Sequence, residues 1–296
     1  MVLSYQKCVM CARGCDVNRE NGEIGYCRMT DKCVVARASL HMWEEPIISG
    51  NKGSGTIFFS GCSLGCVFCQ NKAISRGKKG KAVSVERLAE IMLELQNKGA
   101  HNINLVTPSH FAKTVKESLR IAKDSGLNIP IVYNTSSYDS VETLRALDGL
   151  VDIYLPDFKY YMPKTARAYS FAEDYPNVAK AAISEMIRQR PNSIIENGLM
   201  RYGVIVRILL LPSHVAEAKL ILKYLYSEYG DSIYISLMNQ YTPMGDVVSP
   251  LNRKVTHSEY EELVDYADRL GVKHAFVQEY GTAEESFIPD FDNSGV

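Results

Sequence analysis

An α/β fold built on parallel strands follows from three features of the 296-residue chain. Short apolar, β-branched segments recur from residue 56 onward, helix-patterned segments separate them, and 46% of all residues are hydrophobic, enough to fill a core. Alternating β and α units share one core when the strands run parallel and the crossovers are right-handed. An open doubly wound sheet and a barrel both satisfy that pattern, and periodicity does not choose between them.

The strand candidates are 56–60, 102–106, 130–133, 151–155, 203–211, 232–238 and 273–278, each rich in β-branched or apolar residues. Between the first two, the segment 83–98 places Val85, Leu88, Met92 and Leu95 on one helical face and stops at Gly99. A last helix is expected over 258–270, with Tyr260, Leu263, Val264, Ala267 and Leu270 at helical spacing. Thr256 and Ser258 precede it, Glu259 and Glu262 follow in its first turns, and Gly271 ends it. A longer crossover occupies 160–202, and no internal repeat or low-complexity segment interrupts the series.

Composition removes several function classes. A net charge of −1, from 33 basic and 34 acidic residues, gives no global field for nucleic acid or an anionic membrane. No stretch approaches the roughly 18 apolar residues of a membrane span, and the most hydrophobic run, 204–211, is broken by Arg207. Cys8, Cys11, Arg13 and Asp16 stand where a signal peptide needs an unbroken apolar core, so the expected location is cytoplasmic. Eight cysteines in a cytoplasmic chain read as metal ligands or reduced thiols and not as a disulfide framework.

Three of them, Cys62, Cys66 and Cys69, form C-x3-C-x2-C directly after the first strand candidate, with Phe68 before the last. Iron–sulfur cubanes take four thiolates, so a three-thiolate loop leaves one iron open to a small molecule. Gly61 and Gly65 give such a loop room to fold. A zinc knuckle or three unrelated buried cysteines are the competing readings. Strand, spacing, aromatic and glycines together resemble the radical S-adenosylmethionine (SAM) superfamily. The resemblance implies a 4Fe-4S cluster on Cys62, Cys66 and Cys69, SAM chelated by the open iron, and Phe68 against the adenine. It implies reductive cleavage of SAM to a 5′-deoxyadenosyl radical and hydrogen abstraction from a substrate. It also implies a low-potential electron donor such as flavodoxin or ferredoxin. The fold expected on this basis is a partial (β/α)6 TIM-like barrel over 50–282, preceded by a cysteine-rich metal-binding extension, 1–49, and followed by a polar tail, 283–296.

In parallel α/β folds the functional side chains gather at the carboxyl ends of strands. The candidates there are Thr107, Ser109 and His110 after the second strand and 134–137 after the third. Asp157 and Lys159 follow the fourth, His214 the fifth, and 239–241 the sixth. Asp157-Phe-Lys159 resembles the D-L-K segment of pyruvate formate-lyase activating enzymes, and 206–212 resembles their R-x-x-V-x-P strand end. That resemblance implies that Lys159 and His214 lie near the methionine carboxylate of SAM and that Asp157 joins a polar cluster beside it. A surface ion pair is the plainer reading of Asp157 and Lys159. No catalytic side chain is assignable.

Two segments depart from the relatives. The usual G-G-E after the second strand, which binds the methionine amino group, is replaced by 104–110, leaving Thr107, Ser109 or a backbone carbonyl as acceptors. The activating enzymes' D-T-N-G becomes Asn134-Thr-Ser-Ser137, which removes a negative charge and argues against a monovalent cation there. With Glu44-Glu-Pro46 and 54–61, the whole pattern is most similar to uncharacterised relatives of those enzymes. A glycyl-radical enzyme is then one substrate class, and a small molecule or other peptide a second. A non-catalytic electron-transfer or metal-binding protein is the reading from a different class.

Before the barrel, Cys8, Cys11, Cys15 and Cys27 supply the four thiolates of a zinc site or an auxiliary iron–sulfur cluster, and spacing does not decide between them; unliganded cysteines are the plainer reading. Cys33 is an alternative to Cys27 or a free thiol.

Overall fold

The computed structural model describes residues 3–77, 79–279 and 289–296. Ten strands appear: β1 (Cys33–His41), β2 (Ser54–Phe59), β3 (Lys81–Val83), β4 (Ile103–Val106), β5 (Ile131–Thr135), β6 (Ile153–Pro156), β7 (Ile194–Glu196), β8 (Leu199–Leu209), β9 (Tyr234–Met238) and β10 (Ala275–Val277). They pair in the order β10-β9-β8-β6-β5-β4-β2-β1-β3, with β7 antiparallel on β8. From β2 to β10 every neighbouring pair on that path is parallel, which makes the open, TIM-like partial barrel that was expected. Each of the seven expected strands overlaps one of these parallel strands.

The helices follow their sequence signals. Val85–Asn97 is capped by the Ser84 hydroxyl, which accepts from the Arg87 N–H. His257–Leu270 carries a full capping box between Thr256 and Glu259 and ends on Gly271 in the left-handed region. The long crossover folds as two helices, Pro163–Ser170 and Tyr175–Gln189, followed by the β7–β8 hairpin.

Because side chains alternate across a strand, the two faces of this sheet have different fates. Ile57, Leu105, Tyr133, Tyr154, Val206 and Leu237 point outward into the main core under the helices. On the inner face Val132, Ile153, Leu155 and Ile205 form a small apolar layer with Ile48 and Met200. Two residues further along β5 and β8, the same inner face delivers Asn134 and Arg207, and Asp157 just beyond β6 continues it. The functional layer thus sits on an apolar floor.

The expected boundary at 49/50 falls within the sheet, between β1 and β2. The extension 1–49 contains β1, which pairs antiparallel with both β2 and β3 and is therefore part of the sheet. The junction at 282/283 lies outside the described residues. Of the tail expected to be polar, 289–296 lies along β1. The Ala38 N–H donates to the Ser294 carbonyl at 2.9 Å and the Asn293 N–H to the Ala36 carbonyl at 3.0 Å. Phe291 is buried, its ring 5.5 Å from that of Phe58. An otherwise uncovered strand edge and an apolar contact hold this segment in place.

Candidate functional site

The cysteine loop leaves the carboxyl end of β2 through Ser60, whose N–H donates to the Val34 carbonyl and whose carbonyl accepts from His110 Nε2 at 2.8 Å. Cys62, Cys66 and Cys69 all face one cavity of about 240 Å3. The amides of Leu64 and Gly65 each donate to Cys62 Sγ at 3.4 Å, and the Ser170 hydroxyl donates to Cys66 Sγ at 3.1 Å. Burial pushes the Cys62 thiol up and Cys69 up to about 12, and the neighbouring thiols act in the same direction. Without a metal these groups are neutral thiols; a metal deprotonates them outright.

Opposite the loop is a charged cluster. Arg207 Nε donates to Asp157 Oδ1 at 2.7 Å, its Nη1 to Glu44 Oε2 at 3.2 Å and its Nη2 to Asn134 Oδ1 at 2.6 Å. Lys159 Nζ holds the other Asp157 oxygen at 2.7 Å, so that carboxylate is shared by two cations. Burial would raise Asp157, but Arg207 and Lys159 overcome it and hold the carboxyl below its ordinary range. Burial would lower Lys159; Asp157 and then Cys66 reverse that and keep the ammonium charged. Glu44 moves up because burial outweighs Arg207.

Phe68 is buried at the same cavity, edge-on to Tyr241 at 5.8 Å, Tyr169 at 6.3 Å and Tyr160 at 6.5 Å. Of the expected acceptors after the second strand, Thr107 lines the cavity. Ser109 instead turns into the core and meets Thr135 at 3.3 Å. His110 is likewise structural, buried beneath the loop it supports. His214 does not reach the cavity. It lies in a separate niche beside Lys159, with Nδ1 on the Pro212 carbonyl at 2.7 Å and Nε2 on the Tyr169 hydroxyl at 3.3 Å. The chain turns sharply after β8, with Ser213 at φ 65°, and carries this imidazole away from the strand end.

Sequence reasoning did not assign Glu44 or Arg207 to the site. The visible signal was a lone arginine inside the most apolar run of the chain. At Asn134 the side-chain oxygen accepts from this guanidinium, and Glu44 supplies a counter-charge to it.

The amino-terminal cysteines gather beside this site. Burial pushes the Cys11 and Cys27 thiols up, and the neighbouring thiols of Cys8 and Cys15 act in the same direction. Cys33 is buried apart, facing Arg19. Arg13, between Cys11 and Cys15, joins the two regions by donating to the carbonyls of Ser63, Leu64, Ser170 and Phe171. Its guanidinium stacks 3.8 Å above the Tyr26 ring. Among the described residues no helix is long and apolar enough to cross a membrane.

An uncharacterized protein of Methanocaldococcus jannaschii is 29% identical over 281 residues, spanning 90% of this chain and 76% of that one. Three solved structures share the fold. Methylornithine synthase (PylB) matches at TM-score 0.53 and 18% identity over 75% of this chain and 63% of its own. The FeFe-hydrogenase maturase HydG of Carboxydothermus hydrogenoformans gives 0.53 and 13% over 79% and 55%. SuiB of Streptococcus suis bound to SAM gives 0.51 and 12% over 75% and 49%. The chain thus spans about half the length of SuiB and less than two thirds of the other two. A family model described as the radical SAM superfamily matches residues 56–213, from the strand that launches the cysteine loop to the turn after β8. That stretch is more than half of the chain and carries the loop, Phe68 with Tyr160 and Tyr169, and the Asp157–Lys159–Arg207 cluster, so this protein belongs to the radical SAM superfamily.

Proposed function

We propose that the protein is an enzyme that binds a 4Fe-4S cluster on Cys62, Cys66 and Cys69, cleaves SAM at it, and abstracts hydrogen from a substrate. Superfamily membership implies the cluster and SAM. Together they supply reductive cleavage of the sulfonium and a 5′-deoxyadenosyl radical that takes the hydrogen atom. The observation that carries the reading is the convergence of the three thiols and a paired lysine on one cavity. The thiols fit the group: they face one space, and amide and hydroxyl donors already point at two of the sulfurs.

The protein's own residues bind and orient. Lys159 presents a charged donor to the SAM carboxylate, which would be costly to bury unpaired. Asp157 and Arg207 hold that ammonium in place. Glu44 and Thr107 offer oxygen acceptors to the amino group where the usual G-G-E is missing. Phe68, backed by its tyrosines, forms an apolar wall for the adenine and keeps water from the reacting atoms.

The D-x-K likeness to pyruvate formate-lyase activating enzymes supports a glycyl-radical protein as substrate and a flavodoxin or ferredoxin as electron donor. Anaerobic reconstitution followed by SAM titration tests the core of the reading. The reduced cluster's electron paramagnetic resonance should change on adding SAM, 5′-deoxyadenosine should form, and Cys66→Ala should abolish both. A fully loaded cluster that ignores SAM sinks the proposal. A glycyl signal appearing in an anaerobic cell extract would identify the substrate class; turnover without one would redirect the search to small molecules or other peptides.

A further inference from the structure

Arg19 is fully buried, yet among the described residues it forms no ion pair with a carboxylate. Its guanidinium donates to the Thr30 carbonyl at 3.0 and 2.5 Å, to the His110 carbonyl at 2.5 Å and to Cys8 Sγ at 3.5 Å. The Tyr5 and Phe111 rings cover it at 4.7 and 5.4 Å. Carbonyls and rings satisfy its donors but carry no net charge, and an uncompensated buried cation is costly. The groups beside it that can become anionic are the Tyr5 hydroxyl, which burial keeps protonated and which hydrogen-bonds Thr114, and the thiols of Cys8, Cys27 and Cys33.

Cys8 and Cys27 belong to the gathered quartet. The Tyr26 N–H donates to Cys15 Sγ at 3.3 Å. Gly25 lies against the sulfurs of Cys15 and Cys27, where a Cβ would stand 3.4 and 3.7 Å from them. A backbone amide and a guanidinium aimed at sulfur, with a glycine between two sulfurs, are features of a thiolate cage. Neutral thiols leave Arg19 without a counter-charge. Four thiolates around a divalent ion, or around a cubane in its usual resting state, carry two net negative charges and provide it.

We propose that Cys8, Cys11, Cys15 and Cys27 hold a second metal centre, a four-thiolate site for zinc or an iron–sulfur cubane, whose negative charge compensates Arg19. When zinc or a preassembled cubane is loaded, the four S–H protons leave to solvent, each sulfur donates a lone pair to metal, and no oxidation state changes; assembly from ferric iron and sulfide additionally takes two electrons per cubane from the thiol reductant of the reconstitution. Among the described residues no three His, Cys, Asp or Glu side chains form a ready-made cage for one ion, so loading draws the quartet inward. Arg13, held between two of the ligands, carries the effect to the carbonyls of Ser63 and Leu64 in the cofactor loop.

The test is independent of SAM chemistry. Cys62→Ala, Cys66→Ala and Cys69→Ala are combined in the full chain. The variant is reconstituted anaerobically with zinc alone in one arm and with iron and sulfide in the other, then desalted and analysed for metal. It should keep one zinc or one cubane per chain and lose it when Cys8→Ser and Cys11→Ser are added; Mössbauer spectra identify the iron arm. A triple variant that keeps neither metal, or metal that survives the added substitutions, overturns the proposal. If the triple variant does not fold, native mass spectrometry of the anaerobically purified wild-type chain decides. A mass of chain plus one cubane only overturns the site, and an additional zinc or second cubane supports it.

Discussion

Asp157 Oδ1 accepts from Arg207 Nε at 2.7 Å although the two residues are 50 positions apart, and its other oxygen accepts from Lys159 at the same distance. One carboxylate therefore fixes both cations at the cavity wall. Arg207 is the more embedded of the two, since Glu44 and Asn134 also depend on it. Arg207→Met should cost about 3–5 kcal/mol of unfolding free energy, because it leaves buried carboxylates without their partner. Urea denaturation measures it, and a loss under 1 kcal/mol would show that water has replaced the guanidinium.

Lys159 acts on the ligand as well as on the fold. Lys159→Ala should weaken SAM binding by about 1.5–3 kcal/mol, the range for a hydrogen bond to a charged group, with iron content unchanged. Lys159→Arg should not restore affinity, because a planar fork replaces a compact ammonium that has one place to stand. Anaerobic titration of the cluster spectrum checks both. Wild-type affinity in Lys159→Ala would remove the residue from the SAM site.

Gly61 has φ +85°, and a Cβ there would lie 2.6 Å from Met29 Cγ and 2.8 Å from the Cys27 carbonyl oxygen. Gly61→Ala should destabilise the protein by about 1–3 kcal/mol through backbone strain and by a similar amount through overpacking. It should also pry the cysteine loop from the amino-terminal region. Iron retention and thermal unfolding, read together, test this; a variant matching wild type in both refutes the tight contact.

His110 titrates far from its ordinary 6.5. Burial holds its imidazole down at about 3, the Ser60 carbonyl opposes that weakly, and Arg19 adds to it. Its Nδ1 has no hydrogen-bond partner among the described residues, so protonation would bury an unpaired donor. Between pH 6.5 and about 3 the unfolded chain binds a proton that the folded chain does not. Stability is therefore full above 6.5 and falls as the pH drops through that window. His110→Gln should flatten this loss when both proteins are denatured across the window under identical conditions. His41, held down at about 4 by burial and Arg37, contributes the same background to each. Parallel curves would mean that His110 is protonated in the folded state.

The parallel strands were legible because each combines an apolar run with a turn signal, and the convergence of Cys62, Cys66 and Cys69 on one cavity because three cysteines lie within eight residues. β1 was not, since its register shifts between Val35 and Arg37 and the shift breaks the two-residue alternation that marks a strand. The Glu44–Arg207 pair spans 163 positions and appears only when the sheet brings β1 and β8 around one cavity. His214 shows the converse: it follows β8 in the chain as expected, but the turn at Ser213 sets its side-chain direction into the niche beside Lys159.

The backbone bonds from β1 to Asn293 and Ser294 have a consequence for how the molecule is made. β1 leaves the ribosome well before the residues that complete its edge. Until they arrive, Phe58 and Ala36 lack the Phe291 side chain that covers them. A nascent chain therefore carries an unfinished strand edge until Asn293 and Ser294 have been added, on the strand that leads directly to Glu44.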